Sequence, residues 1–142
     1  MKMVAWVLSA VFSAAIVVTA SADQVPKRTS NYGENYKTLV EDQKAPAQIA
    51  ECIATSYDYA DAGKQYDRLG FTQDDIKAAK TTSESAAFSA KDARVVSTLI
   101  AVTGSARQKA GNGDWKDIIL RCGYNDGKLQ AIELVPAQAA AR

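Results

Sequence analysis

The 142-residue chain predicts an α+β fold, and three features carry that reading. Apolar residues recur at helical spacing between Tyr32 and Tyr57. From Arg94 onward the composition turns β-branched and is cut by Gly- and Asn-rich turn clusters. One cysteine falls in each half, Cys52 in the helical part and Cys122 in the strand part. The expected architecture is a set of N-terminal helices packed on a C-terminal three-stranded antiparallel meander, tied by one disulfide.

Residues 1–22 have the pattern of a cleaved signal peptide. Lys2 is the only charge before Asp23, an apolar run follows from Met3 to Val18, and Ala20-Ser21-Ala22 supplies a small-x-small end. A run of about 18 apolar residues also approaches the length of a membrane anchor. The small-residue triplet and the polar Asp23-Gln24 behind it favour cleavage instead, and no cysteine stands at the junction to take a lipid. The chain carries 17 Lys+Arg against 16 Asp+Glu. Loss of Lys2 leaves the mature chain neutral, which excludes long-range steering to nucleic acid or to an anionic membrane.

The remaining organisation is a flexible leader over 23–31, a single domain over 32–136 and a disordered tail over 137–142. An even cysteine count in an exported chain reads as one disulfide, Cys52 to Cys122. Closing half the chain into a loop is worth about 4 kcal/mol on the chain-entropy estimate. No CxxC motif is present to suggest redox chemistry.

Tyr32, Tyr36, Leu39 and Val40 form the stripe of a first helix. Pro46 interrupts it and suits the first turn of a second. That second helix places Ile49, Cys52, Ile53, Ser56 and Tyr57 on one face, so Cys52 points into the core. Thr72 is the expected N-cap of a short helix, with Asp74 and Asp75 in its first turn and a Phe71–Ile76 staple, ending near Ala79 or Lys80. Thr81 to Ser85 reads as a polar loop, and Ala86 to Lys91 is ambiguous.

The three strands are expected over Arg94–Arg107, Trp115–Tyr124 and Lys128–Val135, with a turn at Gly111-Asn112-Gly113-Asp114 between the first two. For the last hairpin, a three-residue loop Asn125-Asp126-Gly127 sets Leu120 opposite Ile132 and Ile118 opposite Leu134. A two-residue loop would oppose Leu120 to Glu133. The three-residue loop is therefore expected, with Ile118, Leu120 and Cys122 buried and Asp117, Ile119 and Arg121 on the other face.

The sequence has no histidine, which removes Ser–His and Cys–His catalysis and imidazole metal sites. Ser97, Lys109 and Lys116 make no recognised nucleophile motif. Asp58, Asp61 and Asp67 do not fit a calcium loop, and Gly111-Asn112-Gly113 precedes a strand rather than a helix. The acids Asp58, Asp61, Asp67, Asp74, Asp75, Glu84, Asp117 and Glu133 read as solvated side chains. No catalytic residue, metal site or cofactor is expected, and the chain reads as a non-enzyme. Tyr57, Tyr59 and Tyr66 are aromatic contact candidates. The strand face carrying Trp115, Ile119 and Arg121 is the candidate protein-binding surface.

Val102-Thr103-Gly104-Ser105-Ala106-Arg107, then Trp115, then Ile119-Leu120-Arg121-Cys122-Gly123-Tyr124-Asn125-Asp126-Gly127-Lys128, resembles the C-terminal part of small exported proteobacterial proteins of the BspC-like kind. The resemblance covers about a third of the mature chain. It implies a periplasmic or secreted protein of a Gram-negative bacterium, of poorly defined function. The missing catalytic equipment and the Trp115, Ile119 and Arg121 face make another envelope or extracellular protein the expected partner. A secreted effector is one form this takes. Asn35-Tyr36-Lys37 followed by Cys52-Ile53-Ala54-Thr55-Ser56-Tyr57 is similar to periplasmic immunity proteins that neutralise secreted cell-wall amidases. Those are largely helical, and the β-rich second half departs from them. Neither resemblance transfers a functional residue.

Overall fold

Two helices open the domain. In α1 (Tyr32–Glu41) the expected stripe is partly buried around a buried Leu39, and in α2 (Ala47–Ala62) Ile49, Cys52, Ile53 and Ser56 of the expected face are buried, with Tyr57 at its edge. Pro46 precedes α2 in extended geometry, and its carbonyl accepts the amide of Ala50 at 2.9 Å, so proline starts the helix where its missing N–H costs nothing. The computed structural model describes residues 24–110 and 113–140. The expected signal peptide lies outside the described residues, as do Gly111 and Asn112 of the expected turn.

Next come β1 (Tyr66–Gly70), α3 (Gln73–Lys77), β2 (Lys80–Thr82), β3 (Ala86–Ala87), β4 (Val95–Val96), β5 (Thr98–Gln108), β6 (Trp115–Asn125), β7 (Lys128–Pro136) and α4 (Ala137–Ala140). α3 starts as expected. The Thr72 hydroxyl accepts the Asp75 amide at 3.1 Å, and the Asp75 carboxylate accepts the Thr72 amide at 2.8 Å, a complete capping box.

The antiparallel meander β5–β6–β7 is present, but it belongs to a five-stranded sheet. β1 and β2 share the far edge of β5, β1 along its C-terminal half and β2 along its N-terminal half. The expected loop at Thr81 is therefore partly strand. Its side chains give no strand pattern, since all three residues of β2 are exposed. What recruits them is the row of unpaired backbone groups along the edge of β5. The expected single strand from Arg94 breaks at Ser97, whose amide is taken by the Tyr124 carbonyl at 2.9 Å and by Asn125 Oδ1 at 2.8 Å. β4 then leaves the sheet to pair with β3.

The last hairpin corrects the expected register. Asn125 pairs with Lys128, so the loop has two residues, Asp126 and Gly127, both at positive φ as tight hairpin turns require. Gln130 is then an extra residue on β7, a bulge between the Tyr124–Leu129 and Gly123–Ala131 pairs. The bulge restores the parity that the turn alone would break. Leu120 thus faces Leu134, Cys122 faces Ile132 and Ile118 faces Pro136. The expected faces are right and the expected partners are two residues off.

The inner sheet face carries Ile100, Val102, Ile118, Leu120, Cys122 and Ile132, all fully buried under α2. Cys52 and Cys122 form the expected disulfide between the layers, with Cα atoms 5.9 Å apart. A smaller cluster of Phe88, Val96 and Ala131 lies apart from this core, with Leu99 packed against it. Residues 24–31 run without helix or strand, and Arg28 and Thr29 bond to α2. The expected tail carries one helical turn, α4, before residues 141–142, which lie outside the described residues.

Candidate outer-face docking site

Strand alternation puts Trp115, Ile119 and Arg121 on one face of the sheet, away from α2. Cross-strand pairing builds rows there: Arg107 with Trp115, Thr103 with Ile119 and Val135, Ala101 with Arg121 and Glu133, Leu99 with Gly123 and Ala131. The β3–β4 flap covers the last row. Phe88 and Val96 press directly on Gly123, leaving no room for a side chain.

Arg121 is not part of an open stripe, a point the sequence left undecided. Its Nη2 donates to the Phe88 carbonyl at 2.7 Å and its Nη1 pairs with Glu133 Oε1 at 3.2 Å. The guanidinium also stands 5.6 Å from the centre of the Phe88 ring. Arg121 therefore fastens the flap to the sheet. Beyond it the face is open. Trp115 is 51% exposed at one end, with its ring edge near Gly70, and Ile119 and Val135 are half-buried at the centre. Arg107 at the rim is held in a bidentate pair, Nε and Nη2 to the two carboxylate oxygens of Asp67 at 2.8 and 2.7 Å. Asp67 is the bulged residue of β1, and its guanidinium partner holds its carboxyl below the usual carboxylate value. The open surface is thus an apolar centre with an aromatic end, beside ion pairs that are already closed.

The other expected candidates lie elsewhere. Tyr66 is buried in the main core, while Tyr57 and Tyr59 are partly buried against it. Burial pushes the phenols of Tyr57 and Tyr66 above their ordinary value. Asp61, Asp74, Glu84 and Asp117 are exposed as expected, whereas Asp75 caps α3 and Glu133 pairs with Arg121. Asp58 corrects the expectation of a solvated acid, being only 2% exposed and bonded to Thr29. Among the described residues no group of three or more His, Cys, Asp or Glu side chains gathers as a metal site would.

Val135 and the covering role of Phe88 were not visible in the sequence. Val135 reaches the centre of the face only through the bulge at Gln130. Phe88 sits in a segment without periodicity. No family model matches the chain, and no curated protein or solved structure matches it.

Proposed function

We propose that this chain is a small exported protein that works without catalysis, by docking another envelope or extracellular protein on the open part of its outer sheet face. One observation carries the reading: Trp115 stands half out of the surface beside the half-buried Ile119 and Val135. Large aromatic side chains next to a small apolar centre are the usual anchors of protein contacts. The disulfide fits an oxidising compartment. Among the described residues no helix is long and apolar enough to cross a membrane. The BspC-like pattern over Val102 to Lys128 agrees with export into the periplasm or beyond.

The test is a photo-crosslinking amino acid placed at position 119 or, as a control, at the exposed Lys44 on the connection between α1 and α2. Irradiation in cells should give one discrete adduct from position 119 that Trp115→Ala weakens about tenfold or more, a loss typical of an interface anchor. Equal adduct patterns from positions 119 and 44 would contradict the reading.

A further inference from the structure

β7 is one edge of the main sheet. The amide of Ser97 takes the Tyr124 carbonyl on the β5 side of β6. The even-numbered residues of β6 therefore turn their main-chain groups to β5, and the odd-numbered ones turn theirs to β7. Ile119 and Arg121 bond in this way to Val135 and Glu133, which stand opposite them. Alternation then turns the N–H and C=O groups of Ile132 and Leu134 away from β6. Among the described residues no main-chain or side-chain group hydrogen-bonds to these outward groups. Residues 24–27 come near Leu134 on the inner side, where they border a cavity of about 550 Å³ with it, and among the described residues none of them bonds to β7.

An open edge is a template for another strand, and folds commonly guard it. The opposite edge is guarded. It is split between β1 and β2, β1 is bulged at Asp67, and Arg68 and Lys80 stand exposed on it. On β7 the guards sit at the ends. Arg94 Nη1 donates to the Gln130 carbonyl at 2.6 Å beside the bulge, and Pro136 closes the strand. Between them, residues 131–135 carry a single charge, Glu133. Its carboxylate is drawn back over the sheet to Arg121 at 3.2 Å.

The pattern of that stretch fits itself. In an antiparallel pairing about a two-fold axis at Glu133, Ile132 of each copy stands opposite Leu134 of the other, and each such pair exchanges both its N–H···O bonds. The side chains match as well. Ile132 meets Leu134 on the inner side, and Ala131 meets Val135 on the outer side. The facing Glu133 side chains are the unfavourable pair, and each is held by its own Arg121. A foreign strand would have to supply this alternation, whereas a second copy carries it already, and a two-fold pairing closes on itself.

We propose that the protein forms a two-fold dimer by pairing β7 with β7 of a second copy, in the register that sets Ile132 opposite Leu134. The two five-stranded sheets become one continuous sheet, and both outer faces, each with its Trp115, look to the same side. So small an interface holds weakly, with a dissociation constant roughly between micromolar and millimolar. The dimer does not depend on the docking role of the outer face and stands or falls separately from it.

The test is sedimentation equilibrium together with residue-resolved amide hydrogen exchange, each at about 50 µM and about 2 mM protein. The dimer should grow with concentration, and the Ile132 and Leu134 amides should exchange about twofold or more slowly at the higher one. The Glu133 and Val135 amides, bonded to β6, should be protected at both. Glu133→Gln removes the facing charges and should tighten the dimer about twofold. A monomer at both concentrations overturns the proposal, whether the two amides stay fast or are slow throughout, as they would be under another segment of the chain. A dimer that leaves the Ile132 and Leu134 amides unchanged, as one formed through the outer faces would, also overturns it. So does a Glu133→Gln dimer no tighter than the wild type.

Discussion

The ring of Phe88 occupies the space that a side chain on Gly123 would need: an added Cβ would lie 2.9 Å from Phe88 Cδ2 and 2.6 Å from Val96 Cγ1. That contact seats the β3–β4 flap on the sheet and divides the outer face into a covered end and an open one. Gly123→Ala must lift the flap or shift β6, at a cost of about 1–3 kcal/mol. Urea unfolding should show the loss. Faster proteolysis within 86–96 should accompany it, because Phe88 and Val96 are the side chains that seat the flap on Gly123.

Gly104 makes the same kind of contact on the inner face. A Cβ there would lie 2.5 Å from Phe71 Cδ1 and 2.9 Å from the Gly70 carbonyl oxygen. Gly104→Ala should destabilise by a similar amount, about 1–3 kcal/mol, while leaving the flap protected. Comparing the two variants by proteolysis separates a local opening from a global one.

Asp67 and Arg107 should show their pairing in acid. The carboxyl of Asp67 is held below its ordinary value of 3.8, chiefly by its hydrogen bonds to Arg107. Its contribution to stability is thus present above the unfolded value and is lost as pH falls through the lower folded one. Carboxyl-resolved NMR titration should place its midpoint below 3.8, and Arg107→Gln should return it upward. An unchanged midpoint in the variant would remove Arg107 as the cause.

In alkali the buried phenols decide. Desolvation raises Tyr57, Tyr66 and Tyr124 above 10.0, and Tyr124, 1% exposed, donates its hydroxyl to the Gln48 carbonyl at 3.0 Å. The unfolded chain releases these protons near pH 10 while the folded chain retains them. The stability they support is complete below that value and falls as pH rises through their folded values. Absorbance titration should show phenolate from these residues appearing together with the unfolding transition seen by circular dichroism. Tyr124→Phe should lower stability by about 1 kcal/mol at neutral pH through the lost hydrogen bond.

Much of the fold was legible because it rests on strong local signals. Helical spacing located α1 and α2, the Thr72 N-cap with its first-turn acids located the start of α3, and alternation put Ile118, Leu120 and Cys122 on the buried face beside Cys52. What was not legible depends on partners distant in sequence. Lys80–Thr82 becomes a strand only because β5 has an open edge. The hairpin register turns on an unpaired Gln130, which has no sequence mark. Asp58 looked like a solvated acid because its partner, Thr29, lies in a segment expected to be loose. Alternation put Trp115, Ile119 and Arg121 on one face, but whether Arg121 lies open there was not legible, because the flap that claims it shows no pattern.

One disulfide joins helix and sheet and supports the stability of the domain, and export into an oxidising compartment is part of the docking role proposed above. The sulfurs of Cys52 and Cys122 close a loop of 70 residues, and Cys52→Ala with Cys122→Ala should cost about 4 kcal/mol. The most direct measurement is non-reducing intact-mass spectrometry of the protein recovered from the periplasm or medium. The expected species begins at Asp23 and is lighter than the dithiol form by the hydrogens of both thiols, with a peptide linking Cys52 to Cys122 after digestion. A chain that stays in the cytoplasm with its first residues intact and both thiols free would contradict it.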